Sequence, residues 1–363
     1  MASRRRPPDC IPPSIEQAAR LSREQMMIGS SRAGAAELAS TRRRRDAPPS
    51  VTRGERLVIR DGQAVWEPIR SGYGGDASFI DWINFTVDET AFYWGGSGVP
   101  VTDDQVIVEV SARCEALFGF GITMKMDRGQ HFYRNSYRLG DGFGLVCYGG
   151  QRGTVLIQLT GEGCMNAKAG WEKRLHDFLS NADRARITRI DLAYDDFESK
   201  KYSVDRAASD YDAGLFEMRG RPPSYEQRGN WKKPDGKGRT VYIGSRKNGK
   251  FARIYEKGKQ LGDPESEWVR VELEYKSVDR EIPFDVLLVA GEYLSAGYPA
   301  FAWINGVQKR IATFRKEARY SYLHKLFGCI DYSDGASESD VVFQLVGVDV
   351  CSCVVCGGFQ SWF

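Results

Sequence analysis

Alternating apolar and polar positions in the second half of the chain predict three strands, each with one apolar and one charged face. In RIDLAYDD at 189–196, apolar side chains on one side of the strand oppose an arginine and acids on the other. FARIYEK at 251–257 and EWVRVELEYK at 267–276 repeat this polarity. If these strands pair in one sheet, their carboxylates, cations and a phenol share one surface.

The pattern before and between these strands predicts hairpins and helices in mixed order. Strands are expected in SFIDWINFTV from Ser78, in FYRNSYRL and GFGLVCYGG, which flank a Gly-rich turn, and in TVLIQLTG. Helices are expected at 166–179, at 203–216 with Ser203 as N-cap, at 286–294 and at 307–326. This order indicates an α+β fold, a largely antiparallel sheet flanked by helices.

Composition divides the chain into three parts. Residues 1–70 are rich in Arg, Pro, Ser and Ala, which predicts a mostly mobile basic arm, either solvated or in non-specific contact with phosphate. Residues 71–335 are expected to form the catalytic domain, and 336–363 an apolar, Cys-containing tail. The net charge is only +3, so a nucleic-acid surface must arise from local clustering of cations.

Several function classes lack the residues that they need. The three histidines include no His-x-His pair, which disfavours a nuclease that holds its metal with paired imidazoles. A Walker A sequence does not occur, so an ATP-driven helicase is not expected. Eight mostly scattered cysteines, with no signal peptide and no clean bilayer span, favour a reduced cytoplasmic protein that is not in a membrane.

The charged faces of the three strands hold the chemistry of phosphodiester cleavage. Neutralising a phosphate suits Mg²⁺ or Mn²⁺, both of which prefer hard oxygen ligands. The candidate ligands are Asp191, Asp195 or Asp196, Glu272 and Glu274. In the alternative interpretation, these acids only form ion pairs across the sheet with Arg189, Arg253, Arg270 and Lys276.

A tyrosine on the same face is the candidate nucleophile. Tyr255 lies two residues from both Arg253 and Lys257, and such cations favour the phenolate form. Tyr242 is the second candidate because it precedes the turn of Arg246 and Lys247, whose amides and cations suit phosphate. A packing role is the alternative for either tyrosine, and the sequence does not separate the two.

The order of LTGEGC at 159–164, RIDLAYDD, VYIGSRKNGKFARIYEK at 241–257 and RVELEYK at 270–276 resembles the replication initiation factor family of the Rep_trans type. Members include rolling-circle initiators of small plasmids and of filamentous phages. The resemblance implies an enzyme that nicks one strand of an origin through a tyrosine, uses a divalent metal, leaves a 3′-hydroxyl and later rejoins the strand.

The resemblance also implies roles for single residues. Tyr255 would be the nucleophile, and Asp191 and Glu272 the first metal ligands, ahead of Glu274 and Asp195. Arg253, Lys257 and Arg270 would bind the scissile phosphate or its neighbours. Apart from the resemblance, Arg246, Lys247 and Arg189 are further candidate DNA contacts. The implied partners are double-stranded and single-stranded origin DNA and a host helicase and polymerase, in the bacterial cytoplasm. A homodimer would suit a palindromic origin.

Two other functions compete with nicking through a tyrosine. Asp191, Glu274 and Lys276 resemble the acid and lysine set of metal-dependent endonucleases that use water, which cleave without a covalent adduct. A non-catalytic DNA-binding regulator would use the same cations and leave the tyrosine without a role. Candidate origin contacts are the polar loop at 219–239 and a cationic last helix that holds Lys309, Arg310, Arg315 and Lys316.

Overall fold

The computed structural model of the 363-residue chain describes residues 54–93, 102–218 and 221–313. Most of the predicted basic arm, the tail at 336–363 and the end of the predicted last helix lie outside these residues. None of the described helices is long and apolar enough to cross a bilayer.

Twelve strands are described. They are β1 (Glu55–Arg60), β2 (Gln63–Pro68), β3 (Ser78–Asp88), β4 (Ile122–Lys125), β5 (Asn135–Leu139), β6 (Gly144–Tyr148), β7 (Thr154–Leu159), β8 (Arg186–Asp196), β9 (Tyr225–Arg228), β10 (Thr240–Gly244), β11 (Lys250–Glu256) and β12 (Val269–Lys276).

Six α-helices accompany the strands. They are α1 (Asp103–Phe118), α2 (Gly161–Asn166), α3 (Trp171–Asn181), α4 (Val204–Asp212), α5 (Lys257–Gln260) and α6 (Ala290–Ser295). Short 3-10 turns occur at Tyr73–Gly75, Glu89–Phe92, Phe284–Leu287 and Pro299–Phe301.

Ten of the strands form one antiparallel sheet, in the order β4-β5-β6-β7-β3-β8-β12-β11-β10-β9. The long strands β3 and β8 lie near its centre, and β1 and β2 form a separate two-stranded ribbon. This arrangement confirms the α+β prediction of a largely antiparallel sheet with helices packed on it.

The apolar face of the central strands builds the core. Ile83 of β3, Leu192 of β8 and Leu273 of β12 are fully buried in one cluster. The apolar sides of α1, α3 and α6 belong to the same cluster, so these helices cover that face. The other face of the central strands is therefore left for polar side chains.

Several local predictions are confirmed. Ser203 caps α4, because its side chain accepts a hydrogen bond from the Arg206 amide at 3.1 Å. The β10–β11 hairpin and its turn lie where the sequence predicts them. Gly244 ends β10 with φ at +87°, a backbone conformation that favours glycine over residues with a side chain.

Other predictions are wrong in the described residues. The helix expected at 307–326 is absent from 307–313, so Lys309 and Arg310 are not on a helix. Lys309 instead pairs with Asp285, at 3.0 Å, and with Glu292. The helix expected at 166–179 is present as α3, and only its start is wrong: α3 begins at Trp171, after Gly170 in the left-handed conformation, and α2 is a separate short helix before it. The polar loop at 219–239 contains β9.

The predicted arm at 1–70 is folded in its described part. Residues 55–68 form the β1–β2 ribbon, in which Arg56 lies opposite Glu67 and Leu57 opposite Trp66. Alternation is present there, but a short and exposed strand has a weak apolar signal. The helix α1 has no counterpart in the predicted elements either, although Thr102 and Gln105 form a capping box at its start.

Candidate functional site: a charged sheet face

Four neighbouring strands place polar side chains on one face of the sheet. The register sets Asp195 opposite Arg270, Asp191 opposite Glu274, Arg253 opposite Glu272, and Tyr255 opposite Arg270. We call this surface the charged face; its members are Asp81, Arg189, Asp191, Asp195, Arg253, Tyr255, Arg270, Glu272, Glu274 and Lys276. The predicted convergence of three strands is thus present.

Arg270 is the most deeply buried cation of the charged face. Its guanidinium donates to both carboxylate oxygens of Asp195, at 2.7 and 2.8 Å, and contacts Asp81 at 3.3 Å. The indole of Trp268 donates a further hydrogen bond to Asp195 at 2.9 Å. Burial by itself would raise the pKa of Asp81, but Arg270 and Arg70 outweigh burial and lower it to about 2.

A second cluster centres on Arg189. This guanidinium pairs with Asp191 through two hydrogen bonds, at 2.8 and 2.6 Å, and with Glu274 at 2.9 Å. Lys276 contacts the other oxygen of Glu274 at 2.8 Å. Burial raises the pKa of Asp191, although its pairing with Arg189 opposes the shift. The two neighbouring acids are therefore held together by one guanidinium.

Tyr255 lies between these clusters and is almost completely buried. Its hydroxyl donates a hydrogen bond to Glu272 at 2.5 Å, and Glu272 also pairs with Arg253. Burial, and next the negative charge of Glu272, raise the pKa of Tyr255 well above its usual value. Only 8% of Tyr255 is exposed. The hydroxyl of Tyr255 therefore keeps its proton, is hydrogen-bonded to Glu272 and is shielded from solvent.

Tyr242 occupies a more open position on the next strand. It lies opposite Arg253 in the β10–β11 pair, and its ring stacks against Phe251 at 5.6 Å between centroids. The guanidinium of Arg246 lies over the other ring of this stack, 5.3 Å from the centroid of Phe251. Tyr242 is half-buried, so it is more accessible than Tyr255.

A cavity of about 610 Å³ opens above the charged face. Seven of the predicted site residues line it: Arg189, Asp191, Asp195, Arg246, Arg253, Lys257 and Arg270. Tyr242, Tyr255, Lys247, Glu272 and Glu274 do not line it. Lys247 is exposed in the turn after β10, and the buried acids Glu272 and Glu274 lie behind their arginine partners.

The far wall of the cavity comes from α2 and the β6 region. Gly161, Glu162 and Met165 of α2 line the cavity beside Gly142. A Cβ on Gly163 would lie only 2.0 Å from the Phe143 carbonyl oxygen, so this helix can approach the hairpin only with glycine there. The close approach gives the LTGEGC motif a structural role.

Sequence reasoning did not identify Asp81 or Arg70. Asp81 lies at a β-bulge between Ile80 and Trp82, where the strict alternation of β3 breaks. Arg70 pairs with Asp81 and donates to the Ile80 carbonyl at 2.7 Å. The sequence does mark Asp81, because it is the one acid in the otherwise mostly apolar run SFIDWINF.

The carboxylates of the charged face do not form a ready metal site. Within residues 54–93, 102–218 and 221–313, no group of three or more His, Cys, Asp or Glu side chains is placed to hold a metal ion. Each of the four predicted ligands already contacts a cation of the protein. Asp195 in particular accepts hydrogen bonds from Arg270 and Trp268, so that protein donors contact both of its oxygens.

The central part of the chain matches one family model. Residues 185–324 match the model described as replication initiation factor. This stretch holds RIDLAYDD, the GSRK turn with RIYEK, and RVELEYK, which confirms the resemblance that those motifs indicate. LTGEGC lies outside the matched residues.

Two individual proteins are also similar to this chain. "Putative DNA relaxase NicK" of Bacillus subtilis (strain 168) is 25% identical over 267 residues, which cover 66% of this chain and 65% of that protein. The rolling circle replication initiator protein from Geobacillus stearothermophilus, a solved structure, aligns with a TM-score of 0.46 at 18% identity and covers 66% of this chain and 99% of that one.

The buried ion pair of Asp195 with Arg270 leads to a prediction about stability. Asp195→Ala removes the main partner of buried Arg270 and is expected to lower the free energy of unfolding by about 3–5 kcal/mol. Asp177→Ala, which removes an exposed acid paired with Lys173, should change stability little. Urea unfolding of both variants measures the difference, and equal stability of the two would contradict the role given to Asp195.

Proposed function

We propose that this protein is a rolling-circle replication initiator that nicks one strand of origin DNA by tyrosine attack on a phosphodiester. The observation that carries the proposal is the charged face, where a tyrosine and cavity-lining arginines lie on adjacent strands of a replication initiation factor sequence. Cations at such a cavity stabilise the negative charge that develops on a phosphate under attack.

Tyr242 is the nucleophile in this proposal, with Tyr255 as a positioning residue. Tyr242 is half-exposed and flanked by Arg253 and Arg246, which both line the cavity. Tyr255 is buried, donates a hydrogen bond to Glu272 and has a pKa that burial raises, all of which oppose phenolate formation. Its hydrogen bond instead holds Glu272 against Arg253.

The proposed reaction conserves the energy of the phosphodiester bond. The Tyr242 oxygen bonds to phosphorus, the bond from phosphorus to the 3′-oxygen breaks, and the phenolic proton is lost as the 3′-oxygen gains one. The products are a 5′-phosphotyrosine and a free 3′-hydroxyl. Attack by a 3′-hydroxyl on the phosphotyrosine reverses the step and closes the strand.

The products define the proposed partners. A 3′-hydroxyl on a nicked duplex is a primer for a host polymerase, and a host helicase would separate the strands ahead of it. Both act in the bacterial cytoplasm, where we place this protein. Phage and plasmid origins present the same chemistry, and a homodimer would suit a palindromic origin.

A divalent ion, Mg²⁺ or Mn²⁺, is a further part of the proposal. Asp191 and Glu274 both contact the same Nη2 atom of Arg189, at 2.6 and 2.9 Å. Their oxygens therefore converge on a cationic position, for which a divalent ion would compete with the guanidinium. When bound, such an ion supplies Lewis-acid stabilisation to a phosphate oxygen. Glu272 is a weaker candidate because Arg253 and Tyr255 occupy its oxygens.

Matched tyrosine variants test the choice of nucleophile. Tyr242→Phe is expected to reduce nicking of supercoiled origin DNA by at least about 10³-fold, because it removes the attacking oxygen. Tyr255→Phe keeps the ring and should retain nicking at a lower rate. The rates of open-circle formation measure both effects.

The opposite ranking would assign the attack to Tyr255. Cleavage that survives in both variants without a covalent adduct would favour the endonuclease that uses water. Binding of a verified cognate origin with no cleavage by the unmodified protein would favour the regulator.

Metal binding is testable without an activity assay. Titration with Mn²⁺, followed through the electron paramagnetic resonance signal of the free ion, should show binding that Asp191→Asn weakens roughly 10-fold or more. The matched control is Asp177→Asn, since Asp177 is exposed on α3. Equal Mn²⁺ affinity in the two variants would remove Asp191 from the metal site.

A further inference from the structure

The β1–β2 ribbon stands apart from the main sheet and is held at few points. Its turn is attached where the Asp61 amide donates to the Leu261 carbonyl at 2.9 Å, and its two ends are joined to each other where the Ile69 amide donates to the Gly54 carbonyl at 2.7 Å. Most ribbon side chains are exposed. An isolated hairpin has little stability of its own, so its surroundings must hold the ribbon in place.

The two faces of the ribbon differ in chemistry. Arg56, Val58 and Arg60 alternate on one face of β1, and all three line the cavity above the charged face. On the opposite face, Leu57 lies across from Trp66, which is 66% exposed and does not line the cavity. The ribbon therefore turns a face with two arginines, Arg56 and Arg60, and one acid, Glu67, toward the candidate site and forms a wall of the cavity. We call it the cationic face for its net positive charge.

The positive charge of the cavity is available mainly at its rim. On the floor, Arg189, Arg253 and Arg270 are bound to acids of the charged face. Among the described residues, Arg56 has no carboxylate within ion-pair distance, and its guanidinium lies 4.7 Å from the centroid of the Phe197 ring. Within the described ranges, the ion-pair contact of Arg60 is a long one with Glu67, at 3.7 Å.

Two other rim cations resemble Arg56 in this respect. Arg246 lies over Phe251, and Lys257 lies 5.8 Å from the centroid of the Tyr255 ring, with no ion pair for either in the described part of the chain. Three separate elements, the ribbon, the β10–β11 turn and the start of α5, thus present cations around one cavity that form no ion pair with another described residue, apart from the long contact of Arg60. Spacing of this kind suits successive phosphates of a polyanion better than a single small anion.

We propose that the β1–β2 ribbon is a strand-holding arm, and that single-stranded DNA lies between its cationic face and the charged face of the sheet. Arg56 and Arg60 contact backbone phosphates across the cavity that both of them line. This inference rests on the proposed function and assigns to it a strand-binding element outside the residues matched by the family model.

A binding measurement tests the arm. The full-length protein is titrated against a fluorescein-labelled single-stranded 20-mer in EDTA, with fluorescence anisotropy as the readout. The double variant Arg56→Ala with Arg60→Ala should bind about 10-fold more weakly and show a salt dependence shallower by roughly 1–1.5 log units per log unit of salt. Lys125→Ala, an exposed cation on the edge strand β4, is the matched control and should bind normally.

A charge-conserving variant and a fold check accompany this titration. Arg56→Lys should recover most of the affinity that Arg56→Ala loses, because a phosphate contact needs charge more than shape. Thermal unfolding of each variant must match the unmodified protein, as expected for exposed positions. Equal affinity of the double variant and Lys125→Ala would overturn the inference, as would a loss confined to duplex DNA.

Photocrosslinking gives an independent test of which face of the ribbon lies against the DNA. Replacement of Val58 by benzoylphenylalanine should crosslink to the single strand, whereas the same replacement of Trp66 on the opposite face should not. Equal crosslinking from both positions would overturn the inference. If the unmodified protein binds and nicks DNA but the ribbon variants behave normally, only the arm fails; if it neither binds nor nicks a verified origin, the proposed function fails.

Discussion

Burial of charge on the central strands is the constraint on which the rest of this structure depends. Isolated charges would cost several kcal/mol each in the interior, so each buried acid needs a cation in hydrogen-bonding geometry. The β8–β12 register provides this by setting Asp195 opposite Arg270 and Asp191 opposite Glu274, with Arg189 bridging the latter pair. A slip of one residue would turn these charges into the apolar core, so the ion pairs and the core specify the same register.

The same constraint shapes what the site offers to a ligand. The arginines on the floor of the cavity are paired with acids, so they are held in place before any phosphate binds. Little reorganisation is therefore needed when negative charge develops on a phosphate there. The rim keeps Arg56, Arg246 and Lys257, which form no ion pair within the part of the chain that the structure describes and which suit a longer polyanion. In this account, the paired arginines of the floor serve the cleavage of the phosphodiester, and the cations of the rim bind the rest of the strand.

The charged face was predictable from sequence because alternation alone fixes which side chains share a side of a strand. The burial of each side chain was not predictable in this way. Tyr242 and Tyr255 lie on the same face of the sheet, and only the packed structure shows that Tyr242 is half-buried whereas Tyr255 is almost completely buried. Asp81 was missed because a bulge interrupts the alternation of β3. The ribbon at 55–68 was missed because an exposed strand outside the core leaves little apolar signal, and its position beside the cavity depends on contacts distant in sequence.

The most direct test of the account is to identify the atom that DNA becomes attached to. A single-stranded origin oligonucleotide with a bridging phosphorothiolate at the nick site releases a poor nucleophile on cleavage and so traps the adduct. Digestion and mass spectrometry of the trapped protein are predicted to find the nucleotide on Tyr242, in the peptide that precedes the GSRK turn. A nucleotide on Tyr255, or efficient cleavage with no linked peptide, would contradict the assignment of the half-exposed tyrosine as nucleophile.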